Sequence, residues 1–354
     1  MSTLIFIIII FVLVMFHELG HFLFAKAFKI QVDEFAFGFG PTLWKKQIGE
    51  TLYCVNLFPF GGYVKMPGQN GDEDGTINQR SFANQIWWKK SLVLIAGVLF
   101  NILLAIILFS LSFSIGLLAS TSKNDPNAKI LVTAVRKDFP AEKSGIISGD
   151  VIKEISVEND VLKPKSTEDV QSFIRAHKNK SINLSVERSG AIKDVVIEPI
   201  IENNLPLVGV SLDRVSLQRY SIAKSLVVGT KQTFSLFGQT IKAFIGIVSS
   251  PFRENKTQTE VSGPLGIISS VKDATRFGFG YLLSFSALIS INLAVMNLIP
   301  FPALDGGRLV MVLSETVVRR KIPTKILGIV NGGGFLILIL LMVFVTVRDI
   351  LHLF

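Results

Sequence analysis

Cysteine is all but missing from this chain of 354 residues. Cys54 stands alone, so no disulfide can form within the molecule and no cysteine-rich metal knuckle can be built. Any bound metal must use mainly His, Asp or Glu. Charge is scarce too, at 18% of residues against 49% hydrophobic, and a mean hydropathy of +0.50 is too apolar for an ordinary soluble domain. The first apolar run, Leu4 to Phe24, has no basic stretch ahead of it and no small-residue cleavage site. It is therefore expected to stay in the mature protein rather than act as a signal peptide. Acidic residues are outnumbered 27 to 36, which gives a net charge of +9. The surplus Lys and Arg cluster beside apolar runs, where they set membrane orientation, so a nucleic-acid partner is not expected.

What the chain does have is long apolar runs. Leu4 to Phe24, Leu92 to Leu118, Tyr281 to Ile299 and Ile326 to Val347 each reach the roughly 20 residues that cross a bilayer core of about 30 Å. A fifth stretch, Ser221 to Ser250, is interrupted by Lys224, Lys231 and Lys242, which are costly at mid-membrane. It reads as an amphipathic helix lying on the bilayer surface, within a region 219–252. Lys26, Lys29, Lys45, Lys46, Lys89 and Lys90 load the loop after the first span, and Arg308, Arg319, Arg320, Lys321 and Lys325 the last loop. Both loops are assigned to the cytoplasm, which leaves the N-terminus, the long middle segment and the C-terminus outside.

Between the first two spans, Ile30 to Met66 alternates like β-structure: Phe35, Phe37 and Phe39 alternate, and a Gly49-Glu50 turn precedes a strand from Thr51 to Leu57. A membrane-associated hairpin with its apolar face on the membrane domain is expected. The segment 128–212 changes to short strands, charges and turns. Strands are expected at Ile130 to Val135, Val151 to Ile155, Ser181 to Arg188, Asp194 to Pro199 and Leu207 to Leu212. A helical turn is expected at Ala141 to Ser144, and a helix from Thr167 to His177 capped by Ser166 or Thr167. The expected fold is an α-helical polytopic membrane protein with four transmembrane helices, a β-hairpin region and one inserted α+β domain. Residues 1–118 and 281–354 form the two halves of its membrane part.

Inside the first span lies His17-Glu18-Leu19-Gly20-His21, the HExxH pattern, which on a helix sets two imidazoles on one face at i and i+4. That spacing suits a tetrahedral zinc ion, and a carboxylate at Glu18 can serve beside it as general base. Three ionisable groups in an apolar span are costly unless paired or ligated. Two histidines leave a catalytic zinc one protein ligand short. The best candidate is Asp305, just past the inner end of the third span and at a depth matching His17 and His21. The competing reading is that Asp305 N-caps the helix carrying Leu309 to Val318. Pro300 and Pro302 stop the third span and leave extended backbone that can hold a substrate. An unwound substrate segment can also pair with the hairpin. Asn297 can bond such a segment or make an interhelical contact.

With these residues in hand, the chain resembles the site-2 protease family of intramembrane metalloproteases, of the bacterial regulator of sigma-E protease type. The resemblance rests on His17 to His21, on Asn-x-x-Pro-x-Pro-x-Leu-Asp-Gly at Asn297 to Gly306, on Phe37-Gly38-Phe39-Gly40, on Gly97 with Asn101, and on Ser262-Gly263-Pro264, in the family's order. It implies zinc held by His17, His21 and Asp305, Glu18 as base, Asn297 near the substrate, and Phe37, Gly38, Phe39 and Gly40 in a membrane-associated β-loop. It also implies that the middle domain is a PDZ fold, for which Ser144 to Ile152 is PDZ-like, and that the protein sits in the bacterial inner membrane with this domain in the periplasm. Some relatives carry two tandem PDZ domains, whereas 128–212 has room for about one.

The implied partners are single-span membrane proteins, of the anti-sigma factor or remnant signal peptide type. A peptide or C-terminus can bind at the PDZ groove, with Leu205 to Leu212 and Gly209 as candidate edge. The domain can equally act only by obstructing access. A catalytically silent PDZ-bearing membrane scaffold is the alternative from another class, and a transporter is a weaker third.

Overall fold

The computed structural model describes residues 2–69, 78–121, 125–188, 190–202, 205–249, 263–320 and 322–353. Ser250 and Ser262 lie outside the described residues. The chain divides into two compact units, one of residues 1–111, 222–271 and 283–354, the other of 112–221 and 272–282.

The first unit opens with α1 (Ser2–Ala27), apolar throughout, which ends where Lys29 turns to φ 58° and Ile30 N–H returns to the Ala25 carbonyl. β1 (Glu34–Ile48) and β2 (Thr51–Lys65) follow as an antiparallel pair about the Gly49-Glu50 turn. β2 runs well past Leu57, because it doubles back. Phe35 pairs with both Tyr53 and Val64, and Phe37 with both Val55 and Gly62, so the start of β1 is the middle of three strands and Gly62 to Lys65 form an edge. Phe35, Val64, Met66 and Phe82 pack with Ala25, Val93, Leu94 and Val312 into one buried cluster. The hairpin root is thereby fixed to helices by apolar burial, as its alternation predicts.

α2 (Trp87–Ile115) crosses α1 closely: a Cβ on Gly20 would sit 2.5 Å from the Ala96 carbonyl oxygen. The expected second span overran its end, because Gly116 at φ 121° stops the helix and Leu117 and Leu118 enter β3 (Leu117–Ser120). Beyond the middle segment come α5 (Ile222–Ser249), α6 (Pro264–Arg276), α7 (Phe279–Leu298), α8 (Asp305–Val318) and α9 (Thr324–Leu353). Among the described residues, four stretches are long and apolar enough to cross a membrane: Ser2–Ala27, Trp87–Ile115, Phe279–Leu298 and Lys325–Leu351. They match the four expected runs and make this a multi-pass membrane protein, while α5 falls outside the set. On α5, Ser225, Gly229 and Thr233 recur every fourth residue, Ser225 and Thr233 are buried, and Gly229 abuts Ser110 of α2.

The second unit is a sheet domain. β4 (Lys129–Val135), α3 (Pro140–Lys143), β5 (Val151–Val157), β6 (Asp160–Leu162), α4 (Thr167–Ala176), β7 (Ile182–Arg188), β8 (Ala191–Ile197), β9 (Ile200–Glu202), β10 (Leu205–Leu207) and β11 (Val210–Gln218) follow in chain order. The main sheet runs β3-β11-β4-β5-β7-β8 with β6 on β5, and all pairs are antiparallel. Val170, Phe173 and Ile174 on one stripe of α4 join Ile130, Ile152, Ile155, Leu184 and Val186 in its core. Ser166 is the N-cap of α4, in a reciprocal capping box with Asp169.

Three expectations change here. The strand placed at Asp194 to Pro199 starts earlier, at Ala191, because it forms a tight hairpin with β7 about Gly190, whose φ is 82°. The strand placed at Leu207 to Leu212 is broken by Gly209, also at φ 82°, into β10, paired with β9, and β11. The domain also exceeds 128–212, since β3 and the far half of β11 belong to its sheet.

Candidate metal centre

α1 sets His17 and His21 one turn apart, both buried, with their rings edge to face at 4.7 Å. His21 Nδ1 donates to the Val93 carbonyl oxygen at 2.8 Å, and His17 Nδ1 lies 3.2 Å from the side-chain amide nitrogen of Asn101, so α2 backs both rings. Space for them comes from Gly97, where a Cβ would lie 2.5 Å from His21 Nε2 and 2.6 Å from His17 Cε1.

Asp305 arrives from the far end of the sequence. Pro300 and Pro302 keep the backbone after α7 from continuing as helix, and the chain folds back so tightly that a Cβ on Gly306 would sit 2.3 Å from the Ile299 carbonyl oxygen. Ala303 takes φ 74°, and its N–H donates to Asn331 Oδ1 of α9 at 3.3 Å. The capping role weighed for Asp305 is absent: Leu304 is the N-cap of α8 and Asp305 its first residue. Its carboxylate turns to the histidines, with Oδ2 2.9 Å from His17 Nε2 and 3.2 Å from His21 Nε2.

Two imidazole nitrogens and one carboxylate oxygen therefore converge, with the two Nε2 atoms 3.2 Å apart. A tetrahedral ion bound about 2.05 Å from each donor needs donor separations of about 3.3 Å. The observed triangle of 2.9, 3.2 and 3.2 Å fits zinc in size and donor chemistry.

A cavity of about 760 Å³ opens on this cluster. Glu18, Asn297 and Phe39 line it, as do Gly62 to Lys65 of the hairpin edge. A Cβ on Gly62 would come 3.4 Å from Glu18 Cγ, so the edge strand passes directly by that carboxylate. The other residues expected at the substrate lie outside the cavity lining. Phe37 packs on Phe11 and Phe35, and Gly38 at φ 75° accepts from Asn56 Nδ2 at 3.0 Å. Gly40 at φ 87° abuts the Phe58 ring, Pro300 is exposed, and Pro302 packs under Gly334. These residues shape the backbone on either side of the cavity.

Sequence reasoning passed over several lining residues. Arg308 stands three residues after Asp305 and so on the same helical face. Gly61-Gly62 in a strand signals close backbone approach, and Asn331 is a polar residue inside an apolar run.

A family model described as "Peptidase family M50" matches residues 5–341. A Clostridium perfringens protein named "Putative zinc metalloprotease" is 36% identical, over 96% of this chain and 95% of its own length. A Nostoc protein of the same descriptive name is 32% identical over 99% and 96%. The chloroplastic "Membrane metalloprotease ARASP" of Arabidopsis thaliana is 30% identical over 96% of this chain and 77% of that one.

Proposed function

As a member of peptidase family M50, the site-2 proteases, this chain is a zinc metalloprotease, and we propose that it cuts single-span membrane proteins within or near the bilayer. One observation carries this reading: the buried His17 and His21, on a helix apolar enough to span a membrane, meet the half-buried Asp305 beside Glu18. His17, His21 and Asp305 would hold the zinc. When bound, zinc supplies Lewis acidity that polarises a carbonyl and makes water acidic near neutral pH. Glu18 takes the proton from the attacking water and passes it to the leaving amine.

A helical substrate hides its carbonyls, so the target must be unwound before cleavage. The Gly62 to Lys65 edge can pair with the unwound segment and lay it past Glu18. Asn297, across the cavity, then donates to the substrate backbone, and Phe39 stacks near Tyr63 at 6.0 Å as an apolar wall. Phe37, Gly38, Gly40, Pro300 and Pro302 act by holding these walls in place.

The family resemblance implies a bacterial inner-membrane location, and the charge pattern of the loops supports an orientation with the sheet domain outside and α5 along the bilayer surface. We read the sheet domain as PDZ-like, with a peptide or C-terminus as its ligand. A groove of about 380 Å³ between α4 and residues 205–212, lined by Val170, Ile174 and Arg175, supports this. The Val208 and Gly209 carbonyls are already bonded to the Ala141 N–H at 2.9 Å and the Arg136 N–H at 2.8 Å, so β10, rather than Gly209, is read as offering the backbone. Anti-sigma factors and remnant signal peptides are the substrate types that the family resemblance implies.

The test reconstitutes the full-length protein in vesicles with a single-span reporter. Wild type should hold about one zinc per chain and cleave the reporter. Asp305→Ala should lose both metal and cleavage. Cleavage at the wild-type rate by Asp305→Ala would remove Asp305 from the site, and a wild-type chain that neither binds zinc nor cleaves returns the case to a silent scaffold.

A further inference from the structure

The two imidazoles that meet Asp305 are backed by different kinds of partner. His21 Nδ1 faces a backbone carbonyl, which can only accept, so Nδ1 carries the proton and Nε2 keeps its lone pair. His17 Nδ1 faces Asn101, whose side-chain amide offers either an acceptor or a donor. Asn101 is fully buried, and Ser290 Oγ donates to its backbone carbonyl at 2.8 Å, so the residue is held in place. Its amide oxygen makes no hydrogen bond among the described residues, so no other partner there fixes which end of the amide meets His17.

The choice of end decides what His17 can do. An amide nitrogen donating to Nδ1 puts the ring proton on Nε2, the atom 2.9 Å from Asp305 Oδ2, and bars that nitrogen from holding a metal. An amide oxygen accepting from Nδ1–H leaves the Nε2 lone pair aimed at the space the three donors share. The oxygen and nitrogen of an amide are told apart only by such bonds.

We propose that Asn101 is a positioning residue whose amide oxygen accepts from His17 Nδ1–H and so locks the imidazole in the tautomer that presents Nε2 to zinc. The inference rests on the zinc reading above. Groups that orient a ligating histidine act through the ring's far nitrogen, and their loss typically weakens metal affinity by roughly 10–100-fold. Leucine at 101 keeps the volume and removes the acceptor. Aspartate restores an acceptor and has no N–H with which to favour the other tautomer.

The experiment measures zinc affinity by competition with a chelating dye on full-length, detergent-purified wild type, His21→Ala, Asn101→Leu and Asn101→Asp. Asn101→Leu should bind zinc roughly 10–100-fold more weakly, and Asn101→Asp should return to within a few-fold of wild type. Nitrogen-15 spectra of histidine-labelled protein, assigned with a His17 variant, should show Nδ1–H at His17 in wild type and Asn101→Asp, and a mixture in Asn101→Leu. An Asn101→Leu protein that holds zinc as tightly as wild type, or an Asn101→Asp protein that fails as badly as leucine, overturns the inference. Should Asn101→Leu not fold, the spectrum of metal-free wild type decides alone: Nδ1–H at His17 supports the proposal and Nε2–H overturns it. Failure of the zinc reading looks different, because wild type would then bind no zinc that His21→Ala loses, and this inference would fall with it.

Discussion

Gly97 lies directly against His21: a Cβ at position 97 would come within 2.5 Å of the imidazole Nε2. It would also meet His17 Cε1 at 2.6 Å, so one methyl group would displace both rings. Parting the helices to admit it would undo the close approach in which Gly20 of α1 sits on the Ala96 carbonyl. Gly97→Ala should favour helix by about 1 kcal/mol on propensity alone. Helix content by circular dichroism should therefore hold, while elemental analysis shows zinc largely lost.

Glu18 lines the cavity beside the donor triangle without belonging to it. Glu18→Gln should keep zinc at the wild-type level and lower cleavage of a reporter span by about 100-fold or more. Cleavage at the wild-type rate would remove Glu18 from the mechanism.

Gly38 sits at φ 75°, where an added Cβ would meet the Phe58 carbonyl oxygen at 2.4 Å. Alanine there costs about 1–2 kcal/mol in backbone conformation before the clash is counted. Since the metal donors lie on helices, Gly38→Ala should leave zinc binding intact and raise KM for a membrane reporter more than it lowers kcat.

Asp150 is fully buried in the sheet domain, where Arg188 donates to both of its oxygens at 2.7 Å and Ile147 N–H donates at 3.0 Å. Arg188→Ala strands that carboxylate and should destabilise the domain by on the order of 3 kcal/mol. Limited proteolysis of the full-length protein should detect this as faster cutting within 112–221. Membrane helices and zinc content should be unaffected.

The start of α4 should weaken in acid. The Lys165 backbone N–H, then Ser166, bonds to the Asp169 carboxylate and holds its pKa below the ordinary aspartate value. A carboxyl whose folded pKa is depressed contributes its full stability above the unfolded value of about 4, and loses it as pH falls through the folded value. Amide protection at residues 166–170 should therefore hold at neutral pH and fall once pH drops below about 4. Ser166→Ala should lower it at every pH, by about 1 kcal/mol.

Local pattern made much of this protein legible. The four spanning helices and the His17-Glu18-His21 face follow from runs and spacings of a few residues, and so does the capped helix at Ser166. Errors fell where a distant partner decides. Leu117 and Leu118 look like the end of an apolar helix, but β11 claims them as a strand. Gly209 looks like an open edge, but Arg136 holds its carbonyl. The return of β2 to pair again with Phe35 and Phe37 has no local signal beyond Gly61-Gly62, yet it makes the edge that passes Glu18.

By itself the sequence determined that two imidazoles and a carboxylate share one stretch of an apolar helix, because helical periodicity is a short-range property of the backbone. Only the tertiary structure decided that Asp305, 288 residues after His17, is a partner in that cluster rather than a helix cap. Only there, too, do Gly97 and Asn101 become the space and the backing for His17. The reason is physical: which donors meet depends on how whole helices pack, and close packing leaves room for few arrangements.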